Sequence, residues 1–293
     1  MLDRFNFYDI FGYFIPGCVC LASLFLPFGI VASEWPSADV ASALAAVLLA
    51  YLVGHYLQAI ASQAVPSSKG GRSRSSVMLD HGQHSLPEKW RKDVATLARA
   101  CLGIDLTETQ NQKQDDMDAL RDAAFFEARD QLIAADRSRY LEQFQALYSM
   151  MRGNLTAAGV GSAYVIGWIA SNPWLGTRAM YFLPLLAAAH LLSLAWPPAD
   201  SGSARERRLR DQTGAMRSLV SLLVLAAGAG IVLGAGRISD QGDRRPLLAL
   251  LIGLLALGIQ SWRRYGFYAD EFAKAVYRGF IQLHLHPPPK KAE

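Results

Sequence analysis

The chain has 293 residues, 52% of them hydrophobic and 18% charged, with a mean hydropathy of +0.15. It is too apolar for an ordinary soluble domain and too polar to lie wholly in a bilayer, so apolar spans with a polar insert are expected. Three cysteines, Cys18, Cys20 and Cys101, are expected as free thiols, because the first two sit two apart on a helix and face different ways.

Taken in order, the chain opens with Phe5, Phe7, Tyr8, Phe11, Tyr13 and Phe14 beside Arg4 and Asp9. Such rings favour the headgroup level. The apolar run Ile10–Val31 is long enough to span. Val31-Ala32-Ser33 is a faint cleavage match, but the single arginine before it and the length of the run favour a retained first transmembrane helix. Ser33–Asp39 reads as an acidic turn and Val40–Gln63 as a second span. Pro66–Ser76, PSSKGGRSRSS, has no periodicity and reads as a mobile linker.

Pro87 suits a first helical turn. Trp90, Val94, Leu97, Ala98, Cys101 and Leu102 then recur at helical spacing, and Gly103 stops the helix. Thr107–Gln114 reads as loop. Asp115–Ser171 runs 57 residues without proline, charged at first and uncharged from Leu155. As one helix it would reach about 85 Å. The polar interruption Asp136–Arg139 is where it would break. Leu155–Ser171 reads as span three, closed by Pro173-Trp174, and Ala179–Trp196 as span four. A basic loop, Ser201–Arg217, precedes spans Ser218–Gly236 and Pro246–Trp262. Arg263–Leu283 is amphipathic, with Tyr265, Ala269, Phe272, Val276, Gly279 and Leu283 on one face, and the tail HPPPKKAE reads as disordered.

The expected architecture is all-α: a six-helix transmembrane bundle with a helical cytosolic insert between spans two and three. Its parts are 1–63, the insert 64–154, four spans over 155–262, and 263–293. With the N-terminus in the cytosol, 25 Lys and Arg fall inside and four outside. Discounting the long insert leaves twelve against four, the same orientation. A four-span arrangement requires two short segments to lie on the surface or pair as a re-entrant hairpin.

Enzyme signatures such as GxGxxG after a strand, a Walker loop, GxSxG or HExxH do not occur. His81 and His84, three apart near Asp80, read as loop residues, as do His284 and His286; no metal site or cofactor is expected. Asp9, His55, Gln58, Asn154, His190 and Gln260 fall in or near the cytosolic leaflet under this topology. They form either a cavity for an ion, proton or lipid headgroup, with histidines that titrate near neutral pH, or hydrogen bonds that fix helix order. Gly230 and Gly234 form a GxxxG, and Ala157, Gly161, Ala163 and Gly167 give span three small faces. Both suit close packing, within one chain or by self-association. Arg205, Arg207, Arg208 and Arg210 read as a membrane-surface cluster that meets anionic lipid. Nucleic acid is not expected, since the insert balances 13 basic against 13 acidic residues.

In FNFYDIFGYFIPG near the N-terminus, Gly54-His55-Tyr56, YSMMRGN at 148–154 and RYGFYADEFAKAVYRGF at 264–280, the chain resembles bacterial polytopic inner-membrane proteins of unknown function. The resemblance implies a bacterial cytoplasmic-membrane setting and imports no activity. The expected role is a non-enzymatic sensor or effector whose insert couples a protein partner or ligand to the bundle, a layout shared by analogy with membrane effectors of stress or antiviral systems. A transporter or channel built on the polar groups is the alternative.

Overall fold

The computed structural model describes residues 8–32, 39–65, 68–69, 72–80, 85–107, 114–195, 204–235, 237 and 244–285. Phe5, Phe7, His81, His84, His286 and the tail 286–293 lie outside the described residues. The chain is all-α apart from one small hairpin. Its helices are α1 (Ile15–Pro27, with π-helical turns Asp9–Phe14 and Phe28–Ala32 at its ends), α2 (Val40–Ala64), α3 (Arg74–Met78), α4 (Glu88–Leu97), α5 (Gln114–Ala134), α6 (Arg139–Ala170), α7 (Pro173–Ala195), α8 (Ala204–Ala235) and α9 (Arg245–Leu285). The strands are β1 (Ser68–Lys69) and β2 (Arg72–Ser73), paired antiparallel.

Among the described residues, four helices are long and apolar enough to cross a membrane: Asp9–Val31, Val40–Ser62, Met216–Ala235 and Arg245–Leu285. The expected spans three and four coincide with parts of α6 and α7, which are not among these four. For α6 the physical reason is position. From residue 152 to 168, thirteen of seventeen residues are buried, against 17–33% of the apolar window in each of the four helices. A helix enclosed by other helices has no lipid to match, so it can carry Asn154, Thr156 and Ser162 among small residues.

Two compact units divide the chain: residues 1–66 with 149–265, and residues 67–148 with 266–293. In the first, Cys20, Leu57, Val160, Tyr164, Trp168, Ala226, Leu247 and Leu254 form a core around α6. Glycine lets backbones meet there. Gly17 on α1 faces the Ala50 carbonyl of α2, and Gly230 of the GxxxG on α8 faces Tyr164, Gly167 and Trp168 of α6. Any added Cβ at either position would meet backbone closer than unbonded atoms approach. The GxxxG face is therefore filled from within the chain.

The second unit has its own core, in which Met78, Val94, Leu97, Phe125, Leu132 and Leu141 pack with Val276, Tyr277, Phe280 and Ile281 of α9. The expected apolar face of 263–283 is buried there at Val276, with Phe272 and Leu283 packed against the same core, as the continuation of one 41-residue helix.

Four expectations are corrected. The 57-residue helix is two helices, broken at 135–138, where Asp136 has a φ of 55°; left-handed backbone at a non-glycine residue ends α5. Pro173 opens α7 as well as closing the preceding helix, and the Asn172 side chain caps it, accepting from the Leu175 amide at 2.8 Å. The basic loop begins α8 instead, since helix starts at Ala204.

Finally, the presumed linker is ordered from β2 into α3. Arg72 donates twice to Asp118 of α5, at 2.6 and 2.7 Å, and pairs with Asp80. Ser76 Oγ also donates to Asp118, while Ser73 and Ser75 donate to Asp122 and Arg74 pairs with Asp270 of α9. Its serines and arginines are thus a ligand set for three helical carboxylates. The Arg72 guanidinium is held above its ordinary pKa chiefly by its bonds to Asp118, against the opposing effect of burial. For Asp118, burial alone would raise the carboxyl, but the donors Arg72, Ser76 and Gln114 outweigh it and hold it below the usual carboxylate range.

Candidate functional site

One turn of α2, Gly54-His55-Tyr56-Leu57-Gln58, carries side chains into three separate polar places in the first unit. Successive helical residues step by a third of a turn or less, so neighbours in sequence face different helices.

The first place is aromatic. Gly54 lies against the Tyr13 carbonyl, which brings the two segments close enough for rings to touch. His55 stacks on Tyr13 with centroids 3.7 Å apart and planes 15° from parallel, and meets Tyr51 edge-on at 4.5 Å. Tyr8 stands edge-on to Tyr13 at 5.3 Å, and Ser149 of α6 donates to the Tyr8 hydroxyl at 3.5 Å. His55 itself is exposed, and Asp9 is half-buried in the first turn, where a carboxylate suits a helix N-terminus.

The second place joins α2 to α6. Gln58 is buried, and its Oε1 lies against Gly153, where an added Cβ would come within 3.2 Å. Among the described residues neither end of its amide has a hydrogen-bond partner, nor does Oδ1 of buried Asn154, the next residue along α6. A buried polar atom left unmatched costs about 1–3 kcal/mol. These two amides, with the likewise unmatched Ser162 Oγ and Trp168 Nε1 farther along α6, mark places where the bundle lacks a polar partner of its own.

The third place is a chain of hydrogen bonds across α2, α7 and α8. His190, buried on α7, meets the Tyr56 hydroxyl through Nε2 and Ser221 Oγ through Nδ1, the latter at 2.7 Å. Ser221 Oγ donates to the Ser218 carbonyl at 2.9 Å. Because that proton is committed, Nδ1–H donates to Ser221, and Nε2 accepts from Tyr56 O–H. Tyr56, His190, Ser221 and the Ser218 carbonyl are thus joined, and the His190 imidazole also reaches that carbonyl directly. Tyr56→Phe removes one end of this chain, and a loss of about 1 kcal/mol is expected. His190→Ala leaves two hydroxyls to find new partners and is expected to cost about 2 kcal/mol. Thermal unfolding of the purified chain ranks the two.

Gln260 is exposed on α9 and joins none of these places. The arginines Arg205, Arg207, Arg208 and Arg210 fall in the first turns of α8, and their side chains lie outside the described ones. Sequence reasoning missed Tyr56 and Ser221. Tyr56 stands next to His55, and Ser218 and Ser221 are three apart at the start of an apolar run. That spacing was the available signal, but nothing in it names His190 as the partner.

A cavity of about 340 Å³ lies between α6 and α9 in the same unit, apolar along Ala158, Leu254, Leu255 and Ile259 and ending at Trp262 and Arg263. No group of three or more potential metal ligands occurs among the described residues. Compared with family models, curated proteins and solved structures, the chain finds no match in any of the three.

Proposed function

We propose that the chain is a polytopic sensor or effector of the bacterial cytoplasmic membrane, without catalytic activity. In this reading six spans cross the bilayer, both termini are cytosolic, and residues 64–154 form a cytosolic insert. The insert receives a protein partner or ligand, and the bundle responds.

One observation carries the proposal: α6 and α9 each supply residues to both compact units. A helix common to two modules can bias a bundle with two states, provided the ligand binds those states differently. The insert also offers a surface to a partner. Phe126 and Ile133, seven apart on α5, are 54% and 48% exposed, and residues seven apart share a helix face.

Photo-crosslinking in native membranes tests this. A photoreactive residue at 126 or 133 of the full chain is expected to capture one discrete partner, absent when the probe replaces Glu142 on α6. Capture of nothing from either α5 position removes the partner-docking role.

A second reading, a transporter or channel, is favoured by the Tyr56–His190–Ser221–Ser218 chain, whose linked donors and acceptors suit proton passage. It requires that His190→Ala abolish flux in proteoliposomes while the protein still assembles. Equal flux in the variant rejects it.

A further inference from the structure

Three residues far apart in sequence converge on the surface of the second unit. Cys101 lies in the π-helical turn Ala98–Leu102 that follows α4 and is exposed. Its Sγ lies 3.6 Å from Nδ1 of His284, near the end of α9. Nε2 of His284 lies 2.8 Å from Oε1 of Gln131 on α5. The Phe280 ring packs edge-on against the imidazole at 4.8 Å and fixes its plane.

The donor inventory settles the tautomer. Gln131 Oε1 can only accept, so Nε2 carries the proton, and the Nδ1 lone pair is left facing the thiol. This is the arrangement of an activated nucleophile: a thiol, a base within reach, and a third group that orients the base. Cys20, by contrast, is buried in the bundle core and has no such neighbour among the described residues.

We propose that Cys101 is a reactive thiol that undergoes exchange with low-molecular-weight disulfides, with His284 as its base and Gln131 as the positioning residue. The Sγ–H proton passes to His284 Nδ1 as Sγ attacks one sulfur of the disulfide. A new S–S bond forms, the old one breaks, and the departing thiolate takes the proton from His284. One disulfide and one thiol enter, and one mixed disulfide and one thiol leave, so electrons balance without a further oxidant. Accessibility and thiolate supply are the two requirements for such a sensor cysteine. The chemistry stands apart from the partner-docking role, and only its consequence, a bulky adduct on the sensing unit, deepens that reading.

The test uses the purified full chain at fixed pH, with iodoacetamide alkylation of Cys101 followed by mass spectrometry. His284→Ala is expected to slow alkylation roughly ten-fold, below the hundred-fold or more typical of a positioned base because the 3.6 Å contact is long and exposed, and Gln131→Leu to slow it less. An unchanged rate in His284→Ala overturns the proposal, and an unchanged rate in Gln131→Leu removes the positioning role. Incubation with glutathione disulfide is expected to add one glutathione at Cys101 and none in Cys101→Ser. Absence of that adduct overturns the exchange reaction. Neither readout depends on capture at residues 126 or 133, so the two proposals fail separately.

Discussion

Gly230→Val will destabilise the first unit by about 3 kcal/mol or more, at or above the upper end for overpacking a filled site. The Cβ it adds meets the Tyr164 carbonyl oxygen, and the Gly167 Cα and Trp168 amide lie only 3.1 Å away. All three are backbone, and α6 is held on its other sides by Cys20, Leu57 and Leu254, so no flexible side chain can swing aside. Gly253→Ala is the control. Nothing lies within 4 Å of its added Cβ, and alanine favours a helix over glycine by up to about 1 kcal/mol. Thermal unfolding in detergent is expected to show a large drop for the first substitution and no drop for the second. Equal behaviour would mean that α6 and α8 do not approach at Gly230.

Asp118→Asn will destabilise the second unit by about 2–4 kcal/mol, somewhat below the loss for breaking a fully buried pair, because Arg72 retains 26% side-chain exposure. The variant keeps the shape and loses the charge that receives Arg72 twice, Ser76 and Gln114. Buried Arg121, 3.5 Å from the same carboxylate, loses that counter-charge as well. The same interaction sets an acid limb. Asp118 titrates below its unfolded value in the native state, so its contribution is complete above about pH 5 and is lost as pH falls through about 4 and below. Wild-type stability is therefore expected to fall across that range more steeply than that of Asp118→Asn. Parallel acid limbs would show that Asp118 gains no stabilisation on folding.

These two substitutions also mark where the sequence is legible. The helices long and apolar enough to cross a membrane announce themselves, since Asp9–Val31, Val40–Ser62 and Met216–Ala235 carry long, mainly apolar runs. The GxxxG at Gly230 is legible for a related reason: close packing needs a residue type that composition exposes. The apolar face from Tyr265 to Leu283 can likewise be counted off at helical spacing. Hydropathy is a poorer guide to α6, because enclosure by protein removes the pressure for large apolar side chains. The stretch Arg72–Ser76 of PSSKGGRSRSS reads as linker for a different reason. Its order comes from Asp118, Asp122 and Asp270, which lie 40 to 200 positions away. Local composition cannot distinguish a flexible polar segment from one whose charges are met by distant helices. The polar residues followed the same division. His190, Gln58 and Asn154 stand out as polar groups in apolar runs, but the contacts that give them meaning, Tyr56, Ser221 and Gly153, are tertiary.

Cys101 offers the most direct measurement of which side of the membrane holds the insert. It is exposed on the second unit and is the one cysteine of the chain outside the first apolar run. In a Cys18→Ala, Cys20→Ala background, a membrane-impermeant maleimide is expected to label Cys101 in inverted inner-membrane vesicles and to leave it unlabelled in intact spheroplasts. Labelling in spheroplasts without lysis would place residues 64–154 outside the cytosol and contradict the account.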